Sequence, residues 1–201
     1  HRRCLRAAHA AVLDLIHADH LHGIDDVRSI NRAMNAAIDL WADEETLQAV
    51  SERFAYVVAP LREGSGTFYK PTLVPHAFPS SRPFSVAGID IQCFEQDHGF
   101  STTHGLRFGP LAYTTDLVDL HDDAIEALQG VHTWIVGVFA WHPHPTHLHV
   151  DAALALREKI KPQRTVITHM SPKIDYEKLM AYVPEGVIAG YDGLCLDVPE
   201  A

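Results

Sequence analysis

Little in this sequence points to a disulfide framework, a membrane span or a polyanionic partner. Cysteine is scarce: three in 201 residues (Cys4, Cys93 and Cys195), odd in number, far apart and without a C-x-x-C pair. That usage fits reduced thiols in a cytoplasmic protein better than a disulfide scaffold. No apolar run approaches the roughly 20 residues of a membrane span, and no signal-peptide pattern is visible. Positive charge is short as well. Sixteen Lys and Arg face 26 Asp and Glu, a formal net charge of −10, whereas a nucleic-acid backbone binder would carry a basic patch. Repeats and low-complexity segments are absent. The remaining composition, 47% hydrophobic and 21% charged, suits one globular domain over residues 1–201 with a sizeable core.

Histidine, by contrast, is abundant, with fifteen copies, many of them clustered. The densest cluster runs from His17 to Asp26 and holds His17, Asp19, His20, His22, Asp25 and Asp26, directly after the apolar Val12-Leu-Asp-Leu-Ile16. Neutral imidazole and carboxylate are ligands that zinc and manganese accept. An apolar run ending in such a cluster reads as a buried strand delivering a metal-binding loop at its tip. The plainer alternative is a polar helix start with scattered histidines.

Residues 2–11 read as the tail of a helix. Val27, Ile30, Ala33, Met34 and Ala37 recur at helical spacing, with Asp25 or Asp26 available as a cap. A strand at 38–41 and a helix at 44–54 follow, the latter with Glu44 and Glu45 at its positive end. Residues 60–83 hold five of the twelve prolines and read as a long connection, of the kind that is often functional. Strands are expected on either side of Ala87-Gly88 within 84–94, at 106–108 and 111–113 around Gly109-Pro110, at 134–139 and 165–168, and finally at 194–198. Helices are expected at 122–128, 150–159 and 176–182.

One regularity recurs. Strand-like runs end in a metal-type ligand at His17 to His20, at His98, at Asp116 and at His169. Single ligands at the ends of separate strands assemble a site on one rim of a sheet, where the backbone fixes their geometry. Each has a dull reading alone: a turn histidine, a cap, a satisfied buried histidine. Four in order are much harder to dismiss.

The stretches His17-Ala-Asp-His-Leu-His-Gly-Ile-Asp-Asp26, Phe94-Glu-Gln-Asp-His-Gly99, Phe108-Gly-Pro-Leu-Ala-Tyr-Thr-Thr-Asp116, His144-Pro-Thr-His-Leu-His149, Val166-Ile-Thr-His-Met170 and Tyr191-Asp-Gly193 together resemble the metallo-β-lactamase superfamily, specifically its PhnP-like phosphodiesterases. The resemblance implies an α/β fold, an αβ/βα sandwich with a two-metal site at one edge of two facing sheets. The family signature H-x-H-x-D-H is matched in its last three ligand positions by His17, Asp19 and His20. By that resemblance His17 and His98 would serve one metal, Asp19, His20 and His169 the other, and Asp116 would bridge them. His147 stands where a general acid would protonate the leaving alcohol, with His144 and His149 as rivals. His22 and Asp25 would orient ligands, as metal-bound histidines need, or would simply belong to a capped helix entry. The first histidine of the signature falls on Leu15, Pro172 stands where relatives often carry histidine, and the family's opening strands and glycine-rich turn have no counterpart ahead of His1.

The implied function is a cytoplasmic, metal-dependent hydrolase. It would cleave a small phosphodiester, including a cyclic phosphate, by attack of a metal-bridging hydroxide, with Asp19 and His147 in catalytic roles. Two divalent ions (Zn²⁺ or Mn²⁺), or a single one if Leu15 leaves a position unfilled, would lower the pKa of water from about 15.7 toward neutrality. A histidine, with an unperturbed pKa of about 6.5, suits proton donation near neutrality. The alternatives are a degenerate, non-catalytic or single-metal relative and, disfavoured by the acidic balance, an RNA-end nuclease. The expected partners are a small-molecule phosphodiester and a second copy of the chain covering exposed strand edges, with neither membrane nor nucleic acid.

Overall fold

The computed structural model describes residues 10–13, 17–79 and 82–199. These fall into two compact units, one within His1–Ser80 with Val86–Gly88, the other within Ser81–Ser85 and Ile89–Ala201.

In the first unit, β1 (Ala10–Val12), β2 (Ile38–Ala42) and β3 (Leu73–Ala77) form a parallel sheet in that order. Parallel neighbours need crossover connections. The first is supplied by α1 (Ala18–Leu21), a 3-10 turn (His22–Asp26) and α2 (Val27–Met34), the second by α3 (Glu44–Arg53) and α4 (Ala55–Val58). Ile38, Leu40 and Ala42 of β2 are buried while Asp39 is exposed, the period-2 pattern of a strand with one covered face. Ile38 and Leu40 pack with Leu21, Ile24, Val50 and Val57, and the helically spaced Val27, Ile30 and Met34 lie against them. Asp43 caps α3: its Oδ1 accepts from the Thr46 N–H at 2.9 Å and its Oδ2 from the Thr46 hydroxyl at 2.7 Å. The buried Asn31 donates to the carbonyls of Ala36 and Thr72 at 2.9 and 3.0 Å and accepts from the Thr72 N–H at 3.0 Å. It thereby fixes the chain entering β3.

Three expectations are corrected here. Ala10 and Ala11 belong to a strand, because pairing with Asp39 and Leu40 of β2 overrides alanine's high helix propensity, as tertiary context routinely does; residues 1–9 lie outside the described residues. Asp26 occupies the N-cap position of α2 without a side-chain cap. The 3-10 turn runs straight into the helix, so the extended conformation that capping requires is not available. The proline-bearing stretch 60–83 contains β3. Pro75 is tolerated there because β3 is the edge of its sheet, where a missing N–H need not interrupt a ladder.

The second sheet has seven strands in the order β10-β9-β8-β7-β6-β5-β4. They are β4 (Phe84–Val86), β5 (Ile89–Asp97), β6 (Thr102–Phe108), β7 (Leu111–Thr114), β8 (Thr133–Gly137), β9 (Arg164–Thr168) and β10 (Val187–Ala189). Ala87 and Gly88 both have positive φ, 52° and 81°, as the two-residue hairpin turn demands. β5, β6 and β7 are antiparallel neighbours, and β7 to β10 run parallel. The parallel crossovers carry α5 (Asp122–Ala127), α6 (Val150–Ile160) and α7 (Tyr176–Tyr182). Trp134, Val136, Leu117, Leu128, Leu148, Val150, Ile160 and Leu179 make a core that excludes water almost completely. The buried Trp134 indole satisfies its one donor on the Thr114 hydroxyl at 2.8 Å, as such a donor must. The strand expected at 194–198 is absent. The last strand is instead Val187–Ala189, three residues that owe their conformation to pairing with Thr165–Ile167 of β9.

Among the described residues no helix is long and apolar enough to cross a membrane.

Candidate metal centre

The register of the parallel strands sets the site. Thr114 of β7 lies level with Val136 of β8, and Gly137 of β8 with Thr168 of β9. The residues just beyond these carboxyl ends therefore share one rim, and they include Asp116 and His169. Both take left-handed backbone conformations, with φ of 52° and 57°, at a cost of order 1–3 kcal/mol for a residue with a side chain. Such strain persists only where the surroundings over-determine it, which is common at functional sites.

Between them lies Gly137. A Cβ at this position would stand 3.1 Å from the Thr115 Cα, 3.4 Å from the Asp116 nitrogen and 3.4 Å from the His169 Cβ. The bare backbone of β8 lets the two ligand-bearing turns approach. Asp116 is 1% exposed, and its Oδ1 lies 3.2 Å from His169 Nε2 and 3.4 Å from His147 Nε2. The His147 and His169 rings stack at 5.3 Å and 15°. The buried His98 ring meets His147 edge-on at 5.0 Å.

His147 is held from both sides. Its Nδ1 lies 2.8 Å from the Thr146 hydroxyl, and its face rests 4.8 Å from the Phe139 ring. The tautomer with the proton on Nε2 suits these partners, since Nε2 faces a carboxylate and Nδ1 can accept from the hydroxyl. Burial holds the His147 pKa below its ordinary value; the Asp116 carboxylate opposes this, while the neighbouring His98, His169 and His144 imidazoles reinforce it. Its rivals are placed differently. His144 shares Thr146, its Nδ1 lying 3.3 Å from the hydroxyl, and His149 sits at the N-cap of α6 without a side-chain cap.

The ligand atoms of Asp116, His147 and His169 lie within 4.8 Å of one another. Two donors bound to one ion at about 2.0–2.1 Å in tetrahedral geometry sit about 3.3 Å apart, close to the separations on either side of Asp116. A carboxylate with two imidazoles is a donor set that divalent first-row ions accept. The residues therefore fit a metal ion, for which His147 would carry its proton on Nδ1, facing the Thr146 hydroxyl, and leave Nε2 free to coordinate.

In the first unit, His17 precedes α1 with extended backbone (φ −67°, ψ 153°). Asp19 and His20 lie within the helix, Oδ2 and Nε2 3.8 Å apart, with the Asp19 side chain 61% exposed. His22 and Asp25 have partners of their own: the His22 ring meets Phe54 edge-on at 6.4 Å, and Asp25 Oδ1 accepts from the Tyr56 hydroxyl at 2.7 Å. Leu15 lies outside the described residues. Sequence reasoning missed Gly137, Thr146 and Phe139. Only Thr146 carried a signal, inside the His-Pro-Thr-His run.

Residues 1–170 match the family described as the beta-lactamase superfamily domain. A crystal structure of a diphosphatase of the PhnP family is similar over 98% of this chain and 74% of its own, at 28% identity and a TM-score of 0.85. The zinc-bound PqqB of Methylobacterium extorquens shares the fold at 18% identity, with a TM-score of 0.67 over 94% of this chain and 71% of its own. An octanoyltransferase of Porphyromonas gingivalis is 27% identical over 187 residues, 92% of this chain, but the chain spans only 37% of that protein's length. The chain belongs to the metallo-β-lactamase superfamily, on its PhnP-like branch, and has the α/β fold that its motifs imply.

Proposed function

We propose that this chain is a metal-dependent hydrolase of small phosphodiesters, cyclic phosphates among them. The observation that carries the reading is the rim of β7 and β9, where a buried Asp116 carboxylate meets His147 and His169 in a chain 28% identical to a PhnP-family diphosphatase. A diphosphate is the nearest competing substrate class, because hydrolysis there also breaks a phosphorus–oxygen bond at an anionic centre.

Divalent ions, when bound, lower the pKa of a coordinated water and neutralise charge on the phosphoryl oxygens. In this reading Asp116 would be a ligand shared by both ions. His17 and His98 would hold one ion, and Asp19, His20 and His169 the other; the H-x-D-H run supports these assignments. Zinc and manganese both suit the donors. His147, its ring held by Thr146 and Phe139, donates a proton to the leaving oxygen. The donor is the imidazolium form, which burial disfavours and the Asp116 carboxylate beside Nε2 favours.

The test is hydrolysis of bis-p-nitrophenyl phosphate, a cyclic nucleotide and a dinucleoside diphosphate by the protein loaded with Zn²⁺ or Mn²⁺, alongside metal analysis. Diester cleavage with two equivalents of metal is the expected outcome. Bound metal with no turnover of any of the three would sink the reading. A second reading, a single-ion or non-catalytic relative, is favoured by the fact that Asp116, His147 and His169 form a three-donor group within one unit. It predicts one equivalent of metal, lost on replacing His147.

A further inference from the structure

Two buried side chains outside the ligand set converge on the backbone of Asp116. Gln96 of β5 and Thr103 of β6 face each other across the hairpin, and each is 1% exposed. The Gln96 amide donates to the Thr103 hydroxyl and to the Thr115 carbonyl, both at 3.1 Å. The Thr103 hydroxyl passes its own proton to the Asp116 carbonyl at 2.7 Å. One residue further along β5, the Asp97 carbonyl accepts from the Val118 N–H at 2.7 Å. The turn 115–118 is thus laced to β5, just ahead of His98, and through Thr103 to β6.

The two donor bonds select the amide orientation, although it leaves the buried Oε1 without a hydrogen-bond partner. Turned over, Gln96 would aim an oxygen at the Thr115 carbonyl, with no proton between them. Room for the amide oxygen comes from Gly105, where a Cβ would stand 3.0 Å from Gln96 Oε1 and 2.2 Å from the Phe94 ring. A buried amide and hydroxyl in a strand interior cost desolvation unless paired, and apolar residues there would pack without that cost. Their pairing is spent on two consecutive carbonyls of the turn that holds a left-handed Asp116.

We propose that Gln96 and Thr103 are positioning residues: they fix the left-handed turn at Asp116, and so the distance from its carboxylate to His98, for metal binding. This rests on the metal-centre reading above. Groups behind metal ligands typically contribute 10–100-fold in affinity.

The experiment measures Zn²⁺ affinity by chelator competition and the melting temperature of the metal-free protein. The proteins compared are the wild type, Thr103→Val, Thr103→Ser, Gln96→Met and, as a purely structural control, Thr46→Val in the first unit. Thr103→Val and Gln96→Met are expected to weaken zinc binding about tenfold or more, and Thr103→Ser to restore it to within about twofold. Thr46→Val should lower the melting temperature with affinity unchanged. Wild-type affinity in Thr103→Val, or a loss that Thr103→Ser fails to restore, overturns the proposal and leaves the metal reading standing. A wild type that binds no zinc overturns both.

Discussion

The two units carry metal-type side chains in opposite ways. In the second, Asp116 and His169 follow the level ends of parallel strands, take strained left-handed turns and flank a glycine that allows their approach. In the first, Asp19 and His20 sit in a four-residue helix without a side-chain cap, and Asp19 is largely in solvent. Asp25 and His22 are engaged by Tyr56 and Phe54. One set follows paired parallel strands beside a close-packed glycine; the other is held by a short helix and a 3-10 turn. Rigidity of the supporting elements decides how closely a ligand geometry is kept. The second unit is therefore where small changes should be felt most.

The largest contrast should come from the carboxylates. Asp116→Asn keeps the volume but removes the charge at the centre of the cluster. It is expected to abolish binding of at least one ion and to lower phosphodiester hydrolysis by more than roughly a hundredfold, beyond what groups behind the ligands contribute. Asp25→Asn should change either quantity by no more than a few-fold. Metal analysis and hydrolysis of bis-p-nitrophenyl phosphate read both, and equal losses in the two variants would remove the contrast.

Glycines sharpen it next. Gly137→Ala drives a methyl against Thr115, Asp116 and His169, and metal affinity should fall about tenfold as the turns are pushed apart. Gly23 has no atom within 4 Å of where a Cβ would lie. Gly23→Ala is expected to bind metal as the wild type does and to be neutral or slightly more stable. Histidines come third. His147→Gln should lower kcat by about 10²–10⁴-fold with metal retained if His147 is the proton donor, and should lose an ion if it is a ligand. His22→Gln should do neither.

Much of this was legible in the sequence, and the exceptions share a cause. Strand ends at His98, Asp116 and His169 could be read because periodic apolar runs stop at a polar residue. The helix at 176–182 and the hairpin at Ala87-Gly88 could be read because local chemistry decides them. β3 was hidden because Pro75 argues against a strand until the edge position is known. β10 was hidden because three residues carry no period. Gly137 carried no signal, since its role depends on what β7 and β9 bring beside it. Gln96 and Thr103 carried no signal of their own, since only the strand register and their burial show that they meet behind Asp116. Residue type announced the chemistry, and three-dimensional pairing decided which residues hold it in place.

The smallest expected effect tests the plainer side of the comparison. Tyr56 donates to Asp25 at 2.7 Å, and this bond, followed by burial and the carboxylate's charge, raises the tyrosine pKa above its ordinary value of 10. The sign follows from the proton. A folded-state pKa above the unfolded one means the folded chain holds the phenol proton more tightly. The bond's contribution is therefore fully present below pH 10 and is lost as pH rises through the folded pKa, where a phenolate would face a carboxylate. Tyr56 is 41% exposed, so solvent competes for both partners and the contribution should be no more than about 0.5 kcal/mol. Denaturant titration of Tyr56→Phe against wild type at pH 7.5 and pH 11 should show that small deficit shrinking to nothing or reversing. A deficit of several kcal/mol, or one that grows with pH, would mean that the His17–Asp26 stretch is held as firmly as the strand ends that carry Asp116 and His169.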